Sequence, residues 1–399
     1  MASLLQPAFP FVRVTIDTRG ITPVAQRSPG VVAIVGLGDN ASAAPVNTPV
    51  AVTDHDSVLT NFAGPAGAST PLSRSLDLVL AQDPRPDKVY GVRTNSGKDY
   101  SAALTGLEAA DDVTFVGLAE EYSVGKAATA NADATDLMAL RAHVKLMSDA
   151  GQKRMGIAAI DPSIARTPTY VTTVLAAGSY GKLTSDDGRM ILIAARGATT
   201  DPTNPAATAD AASAALGVIA GYSPSTSLVL KQVRGFTMPV ASQYAPAEIA
   251  ALAESGVIPL IDPALKPGTG IYFGDGGTLS SDAARNYVDI VRVLDDIEFR
   301  LRAGLIGAIG DNRITKAGLT AVRIRTEGIL GPLQQAAVID EYSVVIPLLR
   351  ILAQPEASRS AADAAQVATA RSTRSVEVLV SITYGPAVHR LNLTLAPRF

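Results

Sequence analysis

Short apolar runs alternate with helix-patterned stretches along most of this chain, and that alternation narrows the possible folds more than any other feature. The runs are Val31–Val35, Val113–Leu118, Ile157–Ile160, Met190–Ala194 and Val257–Ile261, with shorter strands expected at Val50–Thr53 and Lys88–Arg93. Between them, helical spacing covers Ser73–Gln82, Tyr100–Ala110, Ala134–Ala150, Thr169–Tyr180, Ala206–Tyr222 and Pro246–Glu254. The stop and start signals agree with this. Asp54-His55-Asp56-Ser57 caps a helix running to Phe62, Gly151 suits the end of the Ala134–Ala150 helix, and Pro246 opens a helix that Gly256 closes. The longest helix is expected over Ser281–Leu305, with Tyr287, Val291, Leu294, Ile297, Leu301 and Leu305 forming one stripe. Another follows at Gly318–Leu330. Strands alternating with helices imply an α/β fold of layered mixed sheets.

The two ends differ from this middle. Near the N-terminus, Val12, Val14 and Ile16 alternate with Arg13, Thr15 and Asp17. Near the C-terminus, Val376, Val378, Val380 and Ile382 alternate with polar neighbours, and after Tyr384-Gly385-Pro386 the pattern resumes at Leu391, Leu393 and Leu395. Period-two alternation gives each strand one face for a core and one for water. Such elements pair within one subunit as ordinary edge strands, or complete the sheet of a neighbour by strand addition.

Composition removes several function classes. With 399 residues, two or three domains are expected; 47% hydrophobic and 18% charged residues describe an apolar globular chain. A net charge of −3 offers no clustered basic face for nucleic acid. The chain has no Cys, which removes disulfides, thiolate nucleophiles and Cys-bound metals. His55, His143 and His389 lie far apart and match no metal-binding spacing. The opening MASLLQPAFP has neither a basic segment nor a long apolar one, so no secretion signal is expected. No apolar run reaches the roughly 18 residues of a membrane span, and assembly in a cytoplasm is the expectation.

The catalytic motifs fail on context. Gly36-x-Gly38-x-x-Ala41 follows a strand and Asp54 ends the next, as in a dinucleotide fold. That fold needs a helix N-terminus after the glycines to meet the pyrophosphate, and Pro45, Asn47 and Pro49 leave no room for one. Neither GxxxxGK[ST] nor GxSxG occurs. The acidic pairs Asp111-Asp112, Glu120-Glu121, Asp186-Asp187 and Asp295-Asp296 read as solvated neighbours, and Gly274-Asp275-Gly276-Gly277-Thr278 lacks the spaced acceptors of a calcium loop. A soluble α/β enzyme binding a nucleotide or small metabolite at its strand ends stays as the alternative reading.

Taken in order, the motifs resemble contractile tail sheath proteins of phages and contractile injection systems. The N-terminal part of the likeness is Ser28-Pro29-Gly30, the VVAIVG strand and then DHDSVLTNFAG. The C-terminal part is GVIPLID, IYFGDGGTLSSD, the helix RNYVDIVRVLDDIEFRLR, EYSVVIP and the terminal alternating strands. Gly277 stands where that family often carries Arg before Thr-Leu. The resemblance implies a structural subunit that stacks as six-fold rings around an inner tube, with terminal strands donated between neighbours. It implies baseplate and tail terminator partners, a place in a virion tail or contractile particle, and no catalytic residue, cofactor, metal, nucleic acid or membrane insertion. It further implies an N-terminal arm (1–20), a discontinuous core domain near the tube (21–85 with 245–374), an inserted outer α/β domain (86–244) and a C-terminal strand arm (375–399). About half of the Arg lie beyond Arg285. Arg285, Arg292, Arg300, Arg302, Arg313, Arg323 and Arg325 are therefore the residues expected to face the tube.

Overall fold

The computed structural model describes residues 28, 30–122, 135–176, 178–201, 203–204, 207–267 and 270–389. Its body is one nine-stranded mixed sheet. The strands are β1 (Val31–Leu37), β2 (Pro49–Val52), β3 (Lys88–Thr94), β4 (Phe115–Leu118), β5 (Met155–Ala159), β6 (Met190–Ala194), β7 (Gln232–Val233), β8 (Val257–Ile261) and β9 (Ile271–Phe273). They lie in the order β2-β3-β1-β4-β5-β6-β8-β9-β7. The run from β3 to β8 is parallel, while β2, β9 and β7 pair antiparallel at the two sides. The central strands are buried along their whole length. Parallel strands covered on both faces read as unbroken apolar runs, which is why VVAIV and MILIA have no polar alternation.

The helices of this body are α1 (His55–Phe62), α2 (Pro71–Leu80), α3 (Tyr100–Leu107), α4 (Thr135–Asp149), α5 (Tyr170–Ala176), α6 (Gly178–Leu183), α7 (Ala211–Gly221) and α8 (Pro246–Glu254). Asp54 and Thr70 make capping boxes with Ser57 and Ser73 and so fix the starts of α1 and α2. After α4, Gly151 takes φ +94, a conformation that glycine adopts without a Cβ penalty. α7 is buried from Ala211 to Ala220 and packs on α2 and on five strands, β1, β4, β5, β6 and β7. Its Ala and Gly content allows that approach: a Cβ on Gly217 would lie 2.8 Å from the Val79 carbonyl oxygen.

The remainder is α9 (Val288–Ile306), α10 (Lys316–Gln335), β10 (Ile339–Val345), α11 (Pro347–Ala353), α12 (Ala361–Thr373) and β11 (Leu379–Tyr384). α9 and α10 form an antiparallel hairpin, with Gly304 against Ile329 and Gly307 beside Arg325. One cluster joins Val293, Ile297, Leu330, Leu333 and Ile339. A second joins Leu319, Ile346, Leu348, Ile351, Leu352 and Val367.

The structure bears on three expectations. The proposed boundaries at 85/86 and 244/245 do not separate cores, because β1, β2, β8 and β9 share a sheet with β3 to β7 and one hydrophobic cluster runs from Val31 to Val291. The real change of core falls within α9. The expected helix over Thr169–Tyr180 is two, α5 and α6, and the long helix starts at Val288, preceded by a short 3-10 turn at Ala283–Arg285. Finally, β11 pairs antiparallel with β10 of the same chain, Val380 opposite Val344 and Ile382 opposite Tyr342. Val376 and Val378 pack on the second cluster, Val380 and Ile382 on the first. Val376, Val378, Val380 and Ile382 are half-buried on these clusters, so part of their apolar surface is covered in cis and part stays open to a neighbour. Val12, Val14, Ile16, Leu391, Leu393 and Leu395 lie outside the described residues.

Candidate assembly surfaces

At the strand ends of the body, where an α/β enzyme binds its ligand, arginines of the chain itself fill the loops beyond β1 and β6, beside an open cavity of about 390 Å³ lined by Pro162, Ser163, Arg166, Arg196, Gly197 and Ser242. Beyond β1, the Gly36-x-Gly38 loop is filled by Arg93, whose Nη1 donates to the Asp39 carbonyl at 2.8 Å and whose Nε donates to that of Ala44 at 3.0 Å. A Cβ on Gly38 would sit 2.7 Å from Arg93 Cδ, so the glycine serves close packing of an arginine. Beyond β6, Arg196 is buried between the rings of Tyr170 and Tyr244, 4.4 and 4.5 Å from their centroids. It donates to both carboxylate oxygens of Glu248 at 2.8 and 3.2 Å and to the carbonyls of Ser242 and Gln243. The hydrogen bonds from Arg196 hold the Glu248 carboxyl below the usual range.

At the opposite edge, the fully buried Arg154 donates to the carbonyls of Leu107 and Ala110 and to His143 Nε2 at 2.8 Å. The carbonyls belong to the end of α3 and the turn after it, where helical partners run out. Burial, and then the neighbouring guanidinium, push the His143 pKa down to about 4. Sequence reasoning missed both arginines: the carbonyls that accept from Arg154, at Leu107 and Ala110, and those that accept from Arg196, at Ser242 and Gln243, lie more than 40 residues away and leave no local signature.

Among the described residues one serine–histidine pair occurs, Ser227 Oγ to His389 Nε2 at 2.8 Å. Among the described residues no carboxylate hydrogen-bonds to His389, so the base lacks the orienting group that a hydrolytic triad requires. Among those residues, too, no cluster of three or more His, Asp or Glu is placed to hold a metal, and no helix is long and apolar enough to cross a membrane.

The C-terminal unit offers surface for contacts. Among the described residues the β10–β11 ribbon is a two-stranded sheet, and each strand leaves one edge unpaired there. Its inner face (Tyr342, Val344, Val380, Ile382) lies on α9 and α10, and its outer face carries the cross-strand pairs Glu341–Thr383, Ser343–Ser381 and Val345–Leu379. Tyr384 Oη donates to Asp289 Oδ2 at 2.7 Å, tying the ribbon's end to the first turn of α9. An isolated ribbon with free edges accepts further strands readily.

The arginines expected to face a tube fall into three groups. Arg292 is buried; it donates to the carbonyls of Tyr222 and Ser223, and burial lowers its pKa to about 10. This removes it as a docking residue, because its guanidinium caps the end of α7 inside the same chain. Arg300 is largely covered and bonded to Asp296 at 2.7 Å. Arg285, Arg302, Arg313, Arg323 and Arg325 reach solvent, with Arg302 paired to Glu298 and Arg323 to Glu327 one helical turn on. Near them, Ile306, Ile309 and Ile324 are 69%, 80% and 59% exposed, an apolar tip that the sequence pattern did not single out.

No protein-family model and no curated protein matches the sequence. Solved structures do. A chain of the anti-feeding prophage baseplate, six-fold symmetrised, superposes with a TM-score of 0.65 at 11% identity, over 99% of this chain and 100% of that one. The contracted sheath of an extracellular contractile injection system gives 0.65 at 13% identity, over 98% of both chains. A sheath tail protein from Desulfitobacterium hafniense gives 0.55 at 13% identity, over 84% of this chain and 93% of that one. The architecture is therefore an α/β fold seen in components of contractile assemblies. More narrowly, it is the fold of contractile tail sheath proteins, followed from end to end.

Proposed function

We propose that this chain is a structural subunit of a contractile sheath. It polymerises as stacked six-fold rings around an inner tube and drives that tube forward by rearrangement of its subunits. The observation that carries the reading is the end-to-end match to contracted sheath chains, which includes both the sheet body and the C-terminal unit. The open ribbon supports it. Strands from neighbours, Phe11–Asp17 from one and Leu391–Leu395 from another, add to the free edges of β10 and β11. Each ladder hydrogen bond gives a net of about 0.5–1.5 kcal/mol, so one arm is weak and a lattice of arms is strong.

The exposed set Arg285, Arg302, Arg313, Arg323 and Arg325 grips the tube. Exposed ion pairs contribute about 0–1 kcal/mol each and weaken with salt, which suits contacts that must part on contraction. Baseplate and terminator proteins cap the stack, the particle is assembled in the host cytoplasm, and the sheath itself turns over no substrate. Negative-stain microscopy of the full-length protein tests the reading: tubes or stacked rings are expected, and loss of them when residues 1–18 are deleted from a still-folded chain. Discrete small oligomers stabilised by a nucleotide would refute it.

A further inference from the structure

The chain leaves the ribbon as a short strap held at both ends. At the near end, Tyr384 Oη donates to Asp289 Oδ2 at 2.7 Å, in the first turn of α9. Gly385, Pro386, Ala387 and Val388 follow, all of them exposed. At the far end the His389 ring is half-buried. Its Nε2 is bonded to Ser227 Oγ at 2.8 Å, and the ring meets that of Tyr287 edge-to-face with centroids 5.0 Å apart. The strap therefore starts on the C-terminal unit and is fastened to the sheet body.

The seat is part of the body and is well anchored. Ser227 precedes Leu228, which is buried in the large core, and the Leu230 N–H donates to the Phe273 carbonyl of β9 at 2.9 Å. Ser227 Oγ accepts from the Val229 N–H at 3.3 Å, which leaves its own proton for Nε2 of a neutral imidazole. Tyr287 is bridged to Gly277, and beside it the Val288 N–H donates to the Gly276 carbonyl at 2.9 Å. His389 itself is less committed. It lines an open groove of about 330 Å³, so it can leave a hydroxyl and a ring without unpacking a core.

We propose that His389 is a positioning residue, a releasable pin that fixes where the C-terminal segment leaves the subunit. In sequence it stands two residues ahead of Leu391, the first of the alternating leucines. With the pin closed, the segment starts from Ser227 on the body. With the pin open, its root moves back to Tyr384, and five residues of extended chain at about 3.3–3.6 Å each add about 17 Å of reach. The pin rests on contacts within one subunit. Its consequence rests on the sheath reading: a segment shared with a neighbour finds its place faster from a fixed root, which raises its effective concentration there, and needs added length when subunits rearrange.

The chain has no Cys, so Val388→Cys, at an exposed position, takes a single nitroxide label in the full-length protein. In the free subunit that label should move slowly, and Ser227→Ala or His389→Ala should shorten its correlation time severalfold. His389→Gln, which keeps a polar group for Ser227, should restore part of the restraint. A label on Leu146→Cys, exposed on α4 of the body, should not respond. Mobility at position 388 unmoved by either alanine variant, or an equal rise at position 146 that marks general loosening, would overturn the pin. Where the unmodified protein forms tubes, His389→Ala should lower their yield severalfold and His389→Gln should recover it. Equal yields would overturn the consequence and leave the pin in place, whereas unmodified protein that forms no tubes would refute the sheath reading instead.

Discussion

The sheet body and the C-terminal unit are built to different specifications. In the body, one cluster from Val31 to Val291 buries strands on both faces and an entire helix, α7. Its buried arginines are satisfied by carbonyls and carboxylates of the same chain. The C-terminal unit rests on two small clusters and carries, among the described residues, a two-stranded ribbon. Both parts expose apolar side chains, Val240 and Leu265 in the body, and Ile306, Ile309, Ile324 and Leu379 in the C-terminal unit, where Ile306 and Ile309 sit together at the hairpin tip. Apolar surface of that kind marks an interaction site when it is clustered, and small cores gain stability by association. The body is held by one large core of its own, whereas the proposed assembly contacts fall on the C-terminal unit.

Mutations separate the two. Ile193→Ala in the centre of β6 should cost about 3–5 kcal/mol, the transfer loss plus a cavity that close-packed surroundings cannot fill. Urea melts would show it, and a loss below about 1 kcal/mol would mean the body is looser than its burial indicates.

The body should also be acid-sensitive at one point. His143 has its pKa lowered to about 4 in the fold, against 6.5 for the unfolded side chain. The unfolded chain therefore binds the proton first as pH falls, so the contribution is intact above pH 6.5 and is lost progressively towards pH 4. It amounts to about 3 kcal/mol in all. His143→Gln keeps an acceptor for Arg154, and melts between pH 7 and 4 should show a shallower decline than in the unmodified protein. Parallel curves would contradict the assignment.

In the C-terminal unit the same kind of truncation should matter less. Leu352→Ala sits in a small cluster that can close around the gap, and a cost of about 2 kcal/mol is expected. The smallest monomer effect belongs to charge reversal of Arg302, Arg313, Arg323 and Arg325, each within about 0.5 kcal/mol because the side chains are solvated. Those variants should nevertheless reduce the yield of extended, tube-filled particles while empty sheaths still form. Normal particles from the combined reversal would remove the electrostatic grip.

This division explains what the sequence disclosed. β6, α8 and β8 were legible to the residue, because MILIA and VIPLI are unbroken apolar runs and Pro246 and Gly256 bracket a helix. Local chemistry also announced the start of α1 at Asp54, whereas α2 begins at Pro71 behind Thr70, two residues before the expected Ser73. Strand order was not legible: nothing near residue 85 or 245 records that β1 and β8 belong to one sheet, since pairing is set by contacts far apart in the chain. The partner of β11 was hidden for a related reason. Alternation specifies a covered face but not whose core covers it, and β10 supplied it in cis. Arg292 misled because its buried carbonyl partners, Tyr222 and Ser223, are about 70 residues distant.

Hydrogen exchange on free subunits and on assembled particles tests the central contrast most directly. New protection on assembly should concentrate in β10, β11 and the α9–α10 tip, with β1, β5 and β6 already slow in the free subunit and unchanged. Protection gained chiefly in the central strands, with the ribbon and hairpin tip unaltered, would contradict the account.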